Sequence, residues 1–92
     1  MKEIKGDKNK IKKFRKLAKL KQAAIPSAFK EFRLKTSLRN YQRAEKGVPV
    51  SLKYLTSLAQ FFDQYLRKYT TYNKPVSLED ITKSKSLVYC NI

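Results

Sequence analysis

Apolar residues recur along this chain at helical spacing, in segments punctuated by serine, proline and glycine. Ile11, Phe14, Leu17 and Ala18 fall at i, i+3, i+6 and i+7, which is one stripe of an α-helix. Lysines fill its other face, and Asp7 or Asn9 supplies a cap. This first helix is predicted to run to about Lys21. Phe29 and Phe32 share one face of a second helix. It is read as starting near Pro26, because proline is tolerated in a first turn. A start at Gln22 is the alternative, and it places Pro26 where the missing N–H begins to cost a bond. Ser37 caps a third helix whose stripe is Leu38, Tyr41 and Ala44, with Gly47 as its end and Pro49 as a stop. Ser51 caps a fourth, with Leu52, Leu55, Leu58, Ala59 and Phe62 on one face. That pattern continues through Tyr65, Leu66 and Tyr69.

Residues 70–75 break the periodicity. Pro75-Val76-Ser77-Leu78 then repeats Pro49-Val50-Ser51-Leu52, and Asp80 completes a capping box with Ser77. Leu87, Val88, Tyr89 and Ile92 read as a final short strand or a packed tail. The expected fold is all-α, a small bundle of about five helices. Residues 1–9, polar and charged, read as a basic flexible arm. Residues 10–64 form the helical domain, and residues 65–92 are a C-terminal extension. The apolar residues of that extension suit either a partner surface or a cap on the core.

Composition narrows the function. The chain has 92 residues, 22 Lys plus Arg and 7 Asp plus Glu, for a net charge of +15. Residues 1–21 alone carry ten basic and two acidic groups. Lysine-rich codon usage accounts for part of this, but a surface selected only for solubility would mix both signs. Such a gradient is the footprint of a polyanion binder. Histidine is absent and cysteine occurs once, at Cys90. That excludes imidazole acid–base chemistry, a cysteine–histidine zinc site and an internal disulfide. No apolar run approaches a membrane span. No apolar stretch follows Met1, so no secretory leader is expected. Neither a metal nor a cofactor is implied, and no catalytic constellation is visible. Glu79-Asp80 reads as first-turn charge at a helix start.

The stretch Ser37-Leu38-Arg39-Asn40-Tyr41-Gln42-Arg43-Ala44-Glu45-Lys46-Gly47 resembles the recognition helix of the lambda-repressor-like helix-turn-helix family, the phage-repressor and Xre type. The capped helix after Pro49, with its Leu-x-x-Leu-Ala core, resembles the family's next element. Arg15 matches the family arginine that pairs with the glutamate matched by Glu45. The resemblance covers roughly residues 10–63. It departs in the second helix, where Gln22 lies farther from Glu45 than the family glutamine does. If the helix starts at Pro26, Lys30 and Glu31 replace a usual Leu-Ala pair. A longer turn or a shifted second helix follows.

The resemblance implies a helix seated in the major groove of double-stranded DNA. Arg39 then suits guanine, Arg43 one turn on reaches either a base or a phosphate, Asn40 and Gln42 suit adenine, and Leu38 either touches a thymine methyl or belongs to the core. Lys35, Thr36, Ser37, Lys46, Lys53 and Tyr54 flank this helix as candidate phosphate contacts. Arg15 and Glu45 form a structural pair. The expected protein is a sequence-specific, repressor-like regulator, homodimeric and cytoplasmic. An antitoxin-like module that binds a protein partner through the C-terminal segment is a second reading. A non-specific architectural protein is a third.

Overall fold

The structure is a computed structural model and describes residues 3–82. Four α-helices carry the fold: α1 (Lys8–Leu17), α2 (Ile25–Glu31), α3 (Leu38–Glu45) and α4 (Leu52–Tyr69). Two 3-10 turns, Gln22–Ala24 and Leu78–Ile81, complete the helical content. Two residue pairs add a minimal antiparallel ribbon, β1 (Glu3–Ile4) against β2 (Val50–Ser51). The all-α expectation holds.

Local chemistry explains the starts of α1, α3 and α4. The Asp7 carboxylate accepts from the N–H groups of Asn9 and Lys10, so α1 begins at Lys8. Ser37 accepts from Asn40 N–H, and Ser51 accepts from Tyr54 N–H. Asp7 satisfies two, and each serine one, of the donors that the first helical turn leaves over. Ser77 and Asp80 form the expected capping box, but it opens a four-residue 3-10 turn and not a fifth α-helix.

Helices α1, α2 and α3 end in one manner. Lys19 at φ 58°, Arg33 at φ 61° and Gly47 at φ 81° each take the left-handed conformation. The next residue's N–H then returns to a carbonyl five positions back: Leu20 to Arg15, Leu34 to Phe29 and Val48 to Arg43. Only α3 uses glycine, the residue this geometry favours. This reversal stops α1 at Leu17, short of the expected Lys21. At α2 the two candidate starts merge: the 3-10 turn begins at Gln22, and the α-helix begins at Ile25 with Pro26 in its first turn. Six residues, 32–37, then separate α2 from α3.

The core draws on every helix. Ile11, Ile25, Phe29, Tyr41, Leu55, Leu58, Phe61, Phe62, Leu66 and Ile81 are fully buried. Each large apolar side chain withdrawn from water contributes roughly 1.5–3 kcal/mol. Aromatic rings dominate one side. Phe29 stacks on Phe61 at 4.4 Å between centroids, and Phe61 also meets Phe62 at 5.4 Å and Tyr65 at 5.4 Å. Leu17, Leu38 and Leu52, each on a predicted stripe, sit at its edge and remain over a third exposed.

Two expected boundaries are corrected. The arm at residues 1–9 is structured over its described part. Ile4 pairs with Val50, Gly6 bridges to Thr82, and Asp7 N–H donates to Ile81 O at 2.8 Å. Gly6 permits this approach, since a Cβ there would lie 2.5 Å from Ile11 Cδ1. Backbone pairing needs no apolar side chains, so a polar composition did not reveal it. The division at residue 65 also disappears. Helix α4 runs without interruption to Tyr69, and Leu66, Val76 and Ile81 enter the same core as Ile11 and Phe14. The segment after α4 caps the bundle as far as Thr82. The expected strand at residues 87–92 lies outside the described residues.

Candidate nucleic-acid interface

Helix α3 is eight residues long, and its two faces differ in chemistry. Tyr41, Ala44 and Glu45 are buried. Arg39, Asn40 and Arg43 are exposed, and Leu38 is 36% exposed. At about 100° per residue, Arg39, Arg43 and Lys46 fall on one ridge opposite Tyr41. Asn40 and Leu38 flank that ridge on either side. The structure thus brings together Leu38, Arg39, Asn40, Arg43 and Lys46 on the outward side of α3. Among the described residues no acidic side chain joins them, and the one carboxylate on α3, Glu45, points inward.

That carboxylate organises the back of the helix. Arg15 Nε on α1 donates to Glu45 Oε1 at 2.6 Å, as the expected structural pair requires. Tyr41 Oη donates to the same oxygen at 3.3 Å. Gln22 Nε2, from the 3-10 turn before α2, donates to Glu45 Oε2. The Arg15 guanidinium also donates to Leu20 O at 3.1 Å, fixing the exit from α1. One buried carboxylate therefore ties α1, the start of α2 and α3 together. Burial, then the Glu45 charge, pushes the Tyr41 hydroxyl far above its ordinary pKa. Tyr41 consequently stays a donor throughout the physiological range.

Gln42 is placed differently from its expected role. It is half-buried, and its Nε2 donates to Gln22 Oε1 at 3.3 Å. Its amide extends the Glu45 cluster toward the surface and stands beside the ridge. Gln22 and the Tyr41 hydroxyl were not among the predicted site residues. In the sequence Gln22 marks only a possible start of the second helix, at a spacing from Glu45 that departs from the resemblance. The signal for Tyr41 was its i−4 spacing from Glu45.

The flanking residues divide into two kinds. Lys35, Lys46 and Lys53 are exposed. Thr36 and Tyr54 share a hydrogen bond of 2.7 Å between their hydroxyls, and Thr36 Oγ1 also donates to Ser37 O at 3.0 Å. Both hydroxyls, expected on phosphate, are thus engaged within the protein. They strap the turn before α3 to the first turn of α4. Tyr54 also stacks over Phe29 at 6.5 Å, and burial raises its hydroxyl to about 12. Ser37 uses its side-chain oxygen as the α3 cap.

Beside the Glu45 cluster, the first turns of α1 and the end of α3 border an open cleft of about 460 Å³. Lys8, Lys12 and Lys46 line it, with Asn9 and Gln22, while Glu45 at its base is engaged by Arg15. The α3 ridge continues into this basic cleft through Lys46. No group of three or more His, Cys, Asp or Glu side chains is placed to hold a metal among the described residues. No helix among them is long and apolar enough to cross a membrane. No family model, curated protein or solved structure matches the chain.

Proposed function

We propose that this protein binds double-stranded DNA through the outward face of α3 and acts as a sequence-specific, repressor-like transcription regulator. The observation that carries this reading is the division of α3. Its inner face is fastened on three sides through Glu45, and its outer face offers Arg39, Asn40 and Arg43 with no carboxylate beside them among the described residues. A B-form major groove admits an α-helix, and arginine and asparagine match guanine and adenine edges in bidentate fashion. Arg39 and Arg43 take guanine, Asn40 takes adenine, and Leu38 meets a thymine methyl. Gln42, held by Gln22, is a positioned amide at the margin of this surface.

Backbone phosphates set the register. Lys35, Lys46 and Lys53 serve here, and the cleft of Lys8, Lys12 and Lys46 extends the same track past the end of α3. The Thr36–Tyr54 bond orients the turn that carries Lys35. One short helix covers only a few base pairs, so two copies on a two-fold site supply the length that a specific operator needs. Displacing condensed counterions makes the affinity fall steeply with salt.

Selection of binding sites from random duplexes at ~150 mM salt tests the reading, because charge alone is weakened there. A single enriched motif is expected, with discrimination of at least ~1000-fold over scrambled duplex. Recovery of unenriched sequence would leave charge as the whole of the interaction and defeat the proposal.

A further inference from the structure

A second surface lies on the other side of α1. Leu17 stands two residues after Arg15, hence about 200° around the helix from the side chain that grips α3. Beside Leu17, the end of α1 and the chain leaving α4 enclose an open groove of about 660 Å³. Its apolar wall is Leu17, Tyr69 and Tyr72, and Lys19 and Lys74 stand at its rim. Leu17 is 37% exposed and Tyr69 50% exposed, so two of the four exposed large apolar side chains among the described residues meet here. No carboxylate is among the described residues that line it, and Glu31, which accepts from the Tyr69 hydroxyl, is itself paired with Lys68.

We infer that this groove docks an acidic segment of a partner protein, anchored by one or two large apolar side chains. Charge and shape argue together. Two helices end at the groove, and their C-terminal dipoles bring about half a negative charge each at most. Lys19 and Lys74 exceed that, and Lys68 on the adjacent turn is already bonded to Glu31 at 2.6 Å. Lysine also occupies the left-handed position at Lys19, where glycine would be at ease. A nucleic-acid strand fits less well. The Tyr69 ring is packed on Tyr65 at 4.6 Å and Tyr72 meets Phe14 edge-on at 6.0 Å. Leu17 adds an aliphatic contact that stacked bases do not need. The groove lies apart from the α3 surface, and among the described residues both are open.

The test is amide-shift mapping by NMR on the full chain at ~150 mM salt. The probe is a short peptide rich in Glu and Asp around a central Phe-Leu pair. Its addition is expected to shift the amides of 17–19 and 69–74 while those of α3 stay still. Lys19→Glu with Lys74→Glu should weaken binding about tenfold through lost charge complementarity. Leu17→Ser should weaken it several-fold, and Arg39→Ala should leave it unchanged. An equal response to the same peptide with Ser in place of Phe-Leu would overturn the inference. So would tighter binding of a single-stranded oligonucleotide at these amides. Movement of the same amides with protein concentration alone would assign the groove to a second copy of this chain and reject the acidic partner.

Discussion

The two ends of the molecule are held by different forces. Around α3, fixation is directional: one carboxylate receives a guanidinium, an amide and a phenol. Around α4, fixation is by contact area, through Phe29, Phe61, Phe62 and Tyr65. Ring packing tolerates small rotations, because dispersion and water exclusion depend weakly on angle. Hydrogen bonds to a buried carboxylate do not. If α3 reads base edges as proposed, an eight-residue helix that presents Arg39 and Arg43 in one direction needs the second kind of support. An eighteen-residue helix that anchors the bundle needs the first.

The sharpest break comes from the aromatic side. Phe61→Ala removes a fully buried ring that touches four others and should cost about 3–5 kcal/mol by chemical denaturation. Glu45→Ala strands the Arg15 charge and should cost about 2–3 kcal/mol, less than for a dry pair, because Arg15 keeps 15% of its side-chain surface exposed. Replacing both partners, Arg15→Met with Glu45→Leu, should recover part of that stability. It should not restore site discrimination in duplex-binding assays, if the cluster orients α3. Full recovery of discrimination would show that packing alone aims the helix.

Arg39→Ala is expected to leave the denaturation midpoint unchanged and to lose about 1–3 kcal/mol of discrimination at one base position. Uniform weakening on every duplex would reassign Arg39 to phosphate. Arg33→Gly relieves a left-handed arginine at the end of α2 and should raise stability by about 1 kcal/mol. A loss of stability would mean that the arginine side chain contributes more than its backbone costs.

The smallest effect concerns alkaline pH. Burial lifts the Tyr54 hydroxyl from 10.0 to about 12. A group whose folded pKa is raised contributes stability below its unfolded value and loses it as pH rises through the folded one. Denaturation midpoints should therefore fall between about pH 10 and about pH 12. Tyr54→Phe should flatten part of that fall, with the raised Tyr41 and Tyr69 hydroxyls contributing to the remainder. An unchanged slope in Tyr54→Phe would assign the whole alkaline transition elsewhere.

Local pattern was sufficient for the helices that begin with a clear cap. Ser37 and Ser51 announced α3 and α4, and Gly47 announced the end of α3, because each acts on backbone groups within a few residues. The Arg15–Glu45 pair was legible through the resemblance, since both residues stand in a recurring arrangement. The exposed Arg39, Asn40 and Arg43 followed from the period of the apolar stripe. The ends of α1 and α2 were hidden, because Lys19 and Arg33 take a conformation that their side chains do not advertise.

Other features belonged to the tertiary structure alone. The polar composition of residues 3–7 gave no sign of pairing with Val50 and Ile81, whose partners are remote in sequence. The apolar residues after Tyr65 had two uses open to them, a partner surface or this core. The return of the chain along α1 and α4 placed Val76 and Ile81 inside. Thr36, Tyr54 and Gln42 have polar tips that suit DNA equally well by composition, and only the three-dimensional approach of a second polar group engaged them. Chain-local hydrogen bonding and periodicity thus determine where helices start and which side is apolar. Which polar groups remain outward is decided by contacts between segments that no local window contains.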